Sequence, residues 1–148
     1  MAVLPEWWGG RDLRAMLPKI FFEHFRTTSL MAEHEDLLVG FLIGFACADH
    51  DDEAYVHFAG VHPAWRGAGL GRDLYRRFFA IARAQGRTVV HAVTAPANTG
   101  SIAFHTSLGF AILPGDSEVD GVPVTIDPGP QGDAVVRFEL ILDAQGDT

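Results

Sequence analysis

Residues 62–79 read HPAWRGAGLGRDLYRRFF, and the fold turns on how this stretch is understood. Gly67, Gly69 and Gly71 alternate between Arg66 and Arg72, and an apolar pattern of helical spacing follows at once. Glycine loses more backbone entropy on folding than any other residue, so three of them together need a reason. Downstream, Leu70, Leu74, Phe78, Ile81 and Ala82 form one stripe at helical spacing, and Gly86 stands where a helix would end. Upstream, EAYVHFAGV (residues 53–61) is rich in β-branched and aromatic residues and reads as a strand. The glycines therefore join a strand to a helix. At such a junction backbone N–H groups and the positive end of the helix dipole can gather around an anion.

Working outward, residues 11–25 place Leu13, Met16, Leu17, Ile20, Phe21 and His24 near a 3.6-residue period, interrupted at Pro18. This predicts two short helices or one kinked helix. TSLMAE (28–33) and DLLVGFLIGFACA (36–48) read as a hairpin joined at residues 34–36. RTVVHAVT (87–94) is a further strand. NTGSIAFHTSLGF (98–110) is a short helix that Asn98 or Thr99 can cap and Gly109 can close. Residues 114–133 read as a long acidic loop with room for one short hairpin, and AVVRFELIL (134–142) as a last strand. Helices, three strands, helix, strand, helix and strands imply a mixed α/β sheet with helices, not a regular doubly wound one.

The chain has 148 residues, enough for one domain (1–148) with a core of its own. Charged residues make up 20% and hydrophobic ones 48%, the balance of an ordinary globule. No apolar run approaches the ~18 residues of a spanning helix, so no membrane partner is expected. MAVLPEWWGG lacks a basic n-region and a long apolar run, which reads as a cytoplasmic chain without a secretory signal. The formal charge of −8 argues against nucleic acid, whose phosphates need a basic face, and suits a cationic partner. Cys47 is the one cysteine and has apolar neighbours, which describes a small buried hydrophobe.

Spacing then selects among anion-binding loops. A Walker loop ends in Gly-Lys-Ser/Thr, whereas Gly71 is followed by Arg72 and Asp73. A dinucleotide fingerprint starting at Gly69 needs glycine at position 74, which is Leu74, and it should follow the first strand of a parallel unit rather than a hairpin. What remains is R-x-x-G-x-G, carried by Arg66, Gly67, Ala68, Gly69, Leu70 and Gly71. Farther on stand Asn98, Ser101, Phe104-His105 and Leu108-Gly109-Phe110. With these two motifs in this order, residues 30–110 resemble the GNAT superfamily of N-acetyltransferases. The chain departs from the pattern twice. Its first helix begins almost at once, so either MAVLP supplies a stub of the family's first strand or that strand is missing. In the latter case the strand near Leu30 is a sheet edge open to pairing in a homodimer. And His105 falls where many members carry tyrosine.

The resemblance implies the GNAT fold, with a mixed central sheet and helices on both faces, and acetyl-CoA as cosubstrate. It implies that residues 66–72 (Arg66, Gly67, Ala68, Gly69, Leu70, Gly71 and Arg72) wrap the pyrophosphate. It also implies that the strand end at Val61 meets the pantetheine arm and offers a donor to the thioester carbonyl, and that Asn98 and Ser101 touch the lower part of the cofactor. His105 would protonate the departing thiolate in place of tyrosine. His57, which shares a strand face with Glu53, is a candidate base for the amine, with His62, His91 and ordered water as alternatives. No metal is assigned. The acceptor amine is left open: the acidic residues 49–53 and 116–127 could rim its site, and Trp7 and Trp8 could line it or serve as core anchors. The expected activity is N-acetyltransfer to a primary amine of a small molecule or a peptide. An acyltransferase using another acyl-CoA, a cofactor-binding regulatory module without turnover, and a structural protein stand beside it.

Overall fold

A computed structural model of the chain describes residues 20–126 and 132–143. The elements are α1 (Ile20–His24), β1 (Leu30–His34), β2 (Leu37–Ala46), β3 (Glu53–Val61), α2 (Leu70–Ala84), β4 (Val89–Thr94), α3 (Thr99–Ser107), β5 (Ala111–Ile112), β6 (Ser117–Val119), β7 (Val122–Ile126) and β8 (Ala134–Ile141). A single turn of 3₁₀ helix, Pro63–Trp65, precedes the glycine loop. The strands form one eight-stranded sheet in the order β1-β2-β3-β4-β8-β7-β6, with β5 also paired to β8. Only β3 and β4 run parallel among the recorded pairings, because the helical crossover α2 joins them. This is the mixed sheet expected. MAVLP, Trp7, Trp8 and the helical pattern before Ile20 lie outside the described residues.

Two tight hairpins are set by backbone chemistry. Glu35 and Asp36 adopt φ of 49° and 65°, and Asp120 and Gly121 adopt 51° and 80°. Two consecutive left-handed residues make the tight turn whose twist matches the flanking strands. His34 therefore pairs with Leu37, and Val119 with Val122. The second hairpin is the one allowed for within the acidic loop.

The core lies between the sheet and α2. That helix buries Leu74, Tyr75, Phe78, Phe79 and Ala82. Facing it are Leu42, Ala54, Val56, Val90, Ala92, Val136 and Phe138. Phe78 fits because Gly44 beneath it has no side chain: a Cβ there would overlap the ring. α3 closes the same face, and α1 covers the opposite one, where Phe21 and Phe22 pack on Phe41 and Ile43. The sheet thus has helices on both faces.

Candidate active site

The site begins where two strands part. β3 and β4 pair from Glu53↔Val89 to Val56↔Ala92, after which β3 runs on to Val61 along β2. The register of β2 and β3 slips there, from Ile43↔Phe58 to Gly44↔Val56, leaving His57 as an extra residue. Such a bulge bends its strand and ends pairing. Beside Ala59, Gly60 and Val61 opens a cleft of about 720 Å³, a volume suited to a cofactor-sized molecule. Its walls come from the glycine loop, the first turns of α2, and α3 through Asn98, Ser101, Phe104 and His105.

The glycine loop explains its own composition. Gly67 and Gly69 adopt φ of 81° and 86°, where a side chain would be strained. Gly69 is the N-cap of α2 and supplies no side-chain hydrogen bond to the first helical amides. Those amides therefore lack the side-chain cap that a serine or aspartate would give, an arrangement that can meet an anion. Gly71 faces the cleft between Phe104 and Val61, whose atoms lie 3.3 and 3.5 Å from where its Cβ would stand. Arg66 Nε donates to the Val61 carbonyl at 3.1 Å, tying loop to strand end, and Arg72 reaches Ser107 Oγ at 3.1 Å, tying α2 to α3. Arg77 pairs with Asp73 at 3.0 Å on the exposed side of α2, away from any such role.

α3 is capped as read: Asn98 Oδ1 accepts from the Ser101 amide at 3.1 Å. One turn later His105 points inward and is buried, stacked on Phe138 with ring centroids 4.6 Å apart. Its Nδ1 lies 2.8 Å from the Ser101 carbonyl, and its Nε2 lies 2.9 Å from the Tyr75 hydroxyl. A carbonyl can only accept, so Nδ1 carries the proton and Nε2 accepts from Tyr75. Burial pushes the imidazole below its ordinary pKa of 6.5, with the Ser101 carbonyl acting the other way. Burial also raises the Tyr75 phenol, so both groups are neutral near pH 7. Tyr75 lines the cleft with His105 and was missed in the sequence, where it looks like one more residue of a helix.

The depressed imidazole has a consequence for stability. The unfolded chain protonates this group near pH 6.5, and the folded chain only at lower pH. Its contribution is therefore complete above about pH 6.5 and is lost as pH falls from there toward the folded pKa. The stability difference between wild type and His105→Phe, read from thermal unfolding, should shrink between about pH 7 and about pH 5. A constant difference would contradict the buried neutral ring.

The other candidates lie elsewhere. His57 is on the outer face of the sheet, stacked on Phe21 at 4.8 Å, and is not brought to the cleft beside His105. His91 stands between Glu53 and Glu139 on that outer face, at 3.7 and 3.8 Å. His62 Nδ1 accepts from the Ala64 amide at 3.0 Å and caps the 3₁₀ turn. Burial first, then the Glu53 carboxylate, raises the Cys47 thiol, which makes it a poor nucleophile. Phe41 and Trp65 also line the cleft, and no local pattern points to either.

The model of the acetyltransferase (GNAT) family matches residues 1–110. A search of curated proteins finds 33% identity over 78 residues with L-2,4-diaminobutyric acid acetyltransferase of Vibrio cholerae serotype O1, covering 53% of this chain and 45% of that protein. It also finds 45% identity over 56 residues with L-methionine sulfoximine/L-methionine sulfone acetyltransferase of Salmonella typhimurium LT2, covering 38% and 33%. The chain spans less than half the length of these relatives. Among solved structures, yncA of Salmonella typhimurium with its cofactor acetyl-CoA matches at TM-score 0.61 and 26% identity, covering 95% of this chain and 81% of that one. Ard1 of Thermoplasma volcanium matches at TM-score 0.67 and 18% identity over 82% and 74%, a likeness of fold.

Proposed function

This chain belongs to the GNAT acetyltransferase family, and from that premise we propose that residues 1–148 form one domain that transfers the acetyl group of acetyl-CoA to a primary amine, by direct attack in a ternary complex. The observation that carries the reading is the cleft itself. It joins an open strand end at Ala59, Gly60 and Val61 to a glycine loop whose helix start has no side-chain cap. The amides of Gly67, Ala68, Gly69, Leu70, Gly71 and Arg72 hold the pyrophosphate, with Arg66 and Arg72 adding charge. A backbone N–H at Val61 donates to the thioester carbonyl as negative charge develops there, a contact worth about 3 kcal/mol of barrier in comparable sites. Asn98 and Ser101 line the lower part of the cleft. The related yncA structure, which holds acetyl-CoA in the same fold, supports this assignment.

For the acceptor, we propose the amine of a small amino acid. The two curated relatives are both named for amino-acid substrates, and their matches support this class over a peptide or protein amine. The test is a panel of amino acids, polyamines and peptide N-termini with acetyl-CoA, followed by thiol release. Turnover of amino-acid amines is expected. Coenzyme A binding without turnover of any amine would instead favour the regulatory module.

A further inference from the structure

The cleft wall contains a hydrogen-bond chain whose direction is fixed at one end. The Ser101 carbonyl accepts from His105 Nδ1–H, so His105 Nε2 must accept from the Tyr75 hydroxyl. Both ring nitrogens of His105 are thereby engaged within the protein. The direct acid role expected for this histidine has no N–H left to perform it without breaking a bond. Tyr75 differs: its hydroxyl proton is committed to His105, while its oxygen keeps a lone pair, and the residue lines the cleft.

We propose that Tyr75 and His105 act as one proton relay, in which Tyr75 touches the reacting atoms and His105 stores the proton behind it. This rests on the acetyltransfer reading above. As the amine attacks and the C–N bond forms, an N–H proton of the substrate passes to Tyr75 Oη. The proton already on Oη passes to His105 Nε2. The imidazolium so formed keeps its Nδ1–H on the Ser101 carbonyl. When the C–S bond breaks, the transfers reverse: Oη gives its proton to the thiolate sulfur and regains one from Nε2. One N–H and one C–S bond are lost, one C–N and one S–H bond are gained, and both side chains end as they began. No electron changes hands.

The surroundings suit the task. Packed on His105 are Tyr75 from α2, Ser101 and Phe104 from α3, Phe110, and Phe138 from β8. Tyr75 is the one other titratable group among them. An imidazolium in this apolar nest gives up its proton readily to a thiolate, whose conjugate thiol has a pKa near 8.5. Nitrogen and sulfur are bonded to the same carbon during transfer, so a single relay can serve both.

The experiment compares Tyr75→Phe, His105→Phe and the double variant, with acetyl-CoA and an amine that the wild type acetylates. Each single variant should lower kcat on the order of 100-fold, the usual scale of a positioned proton-transfer group. The double variant should be no slower than the poorer single one, because the two act as a unit. Both residues line the cleft, so coenzyme A affinity by calorimetry should change, but by less than about tenfold and far less than kcat. Full turnover by Tyr75→Phe, or a double variant slowed by the product of the single effects, would overturn the relay while leaving acetyltransfer standing. A wild type that binds coenzyme A and acetylates nothing would overturn both. Should the variants fail to fold, the imidazole ¹⁵N shifts of the wild type decide: the Nδ1–H tautomer is expected, and the Nε2–H tautomer would refute the relay.

Discussion

Replacing Gly71 with leucine should weaken coenzyme A binding on the order of 10–100-fold, the scale of overfilling a packed site by roughly 1–3 kcal/mol. Gly71 is the second residue of α2, and its missing side chain would stand between Phe104 and Val61 in the cleft. A leucine there enters the space proposed for the cofactor. The fold should survive, because leucine is a far better helix former than glycine and Gly71 faces the open cleft, not the packed core. Calorimetry with coenzyme A, beside a thermal unfolding curve, checks both halves. Unchanged affinity in a folded variant would place the cofactor elsewhere.

Phe138→Ala should have the largest effect on stability, about 3–5 kcal/mol. Phe138 is fully buried in β8 and supports the His105 ring at 4.6 Å. Its removal leaves a cavity under the one polar residue of α3 that is buried. Total stabilities are about 5–15 kcal/mol, so the variant should be close to unfolding at 37 °C. Chemical denaturation gives the value. A loss under about 1 kcal/mol would mean that the ring packing around His105 is not as described.

These residues also show how far sequence alone reaches. β3 was readable to the residue because its composition is strand-like and both ends are marked by turns or loops. α2 was readable from Gly69 to Gly86, since both glycines adopt left-handed φ at its boundaries. Its buried face, Leu74, Tyr75, Phe78, Phe79 and Ala82, is rotated slightly from the apolar stripe. The stripe through Leu70 and Ile81 missed Tyr75 and Phe79, which turn inward because Phe110 covers them. That contact joins residues far apart in the chain, and local periodicity cannot reveal it. The bulge at His57 was hidden for the same reason, being a property of the β2–β3 register and not of either strand. Asn98 as a cap and the position of His105 on α3 were legible. The hydrogen bond that gives His105 its protonation state comes from a tyrosine 30 residues earlier, and no spacing rule points to it.

That residues 66–72 and the end of β3 hold coenzyme A is the core of the proposed function. Titrating coenzyme A into ¹⁵N-labelled protein and following backbone amides tests it most directly. Saturable shifts are expected, largest at Gly67, Ala68, Gly69, Leu70, Gly71 and Arg72 and next at Gly60 and Val61, with His91 and Glu139 on the outer face unmoved. Shifts centred on that outer face, or no saturable change at the glycine loop, would contradict it.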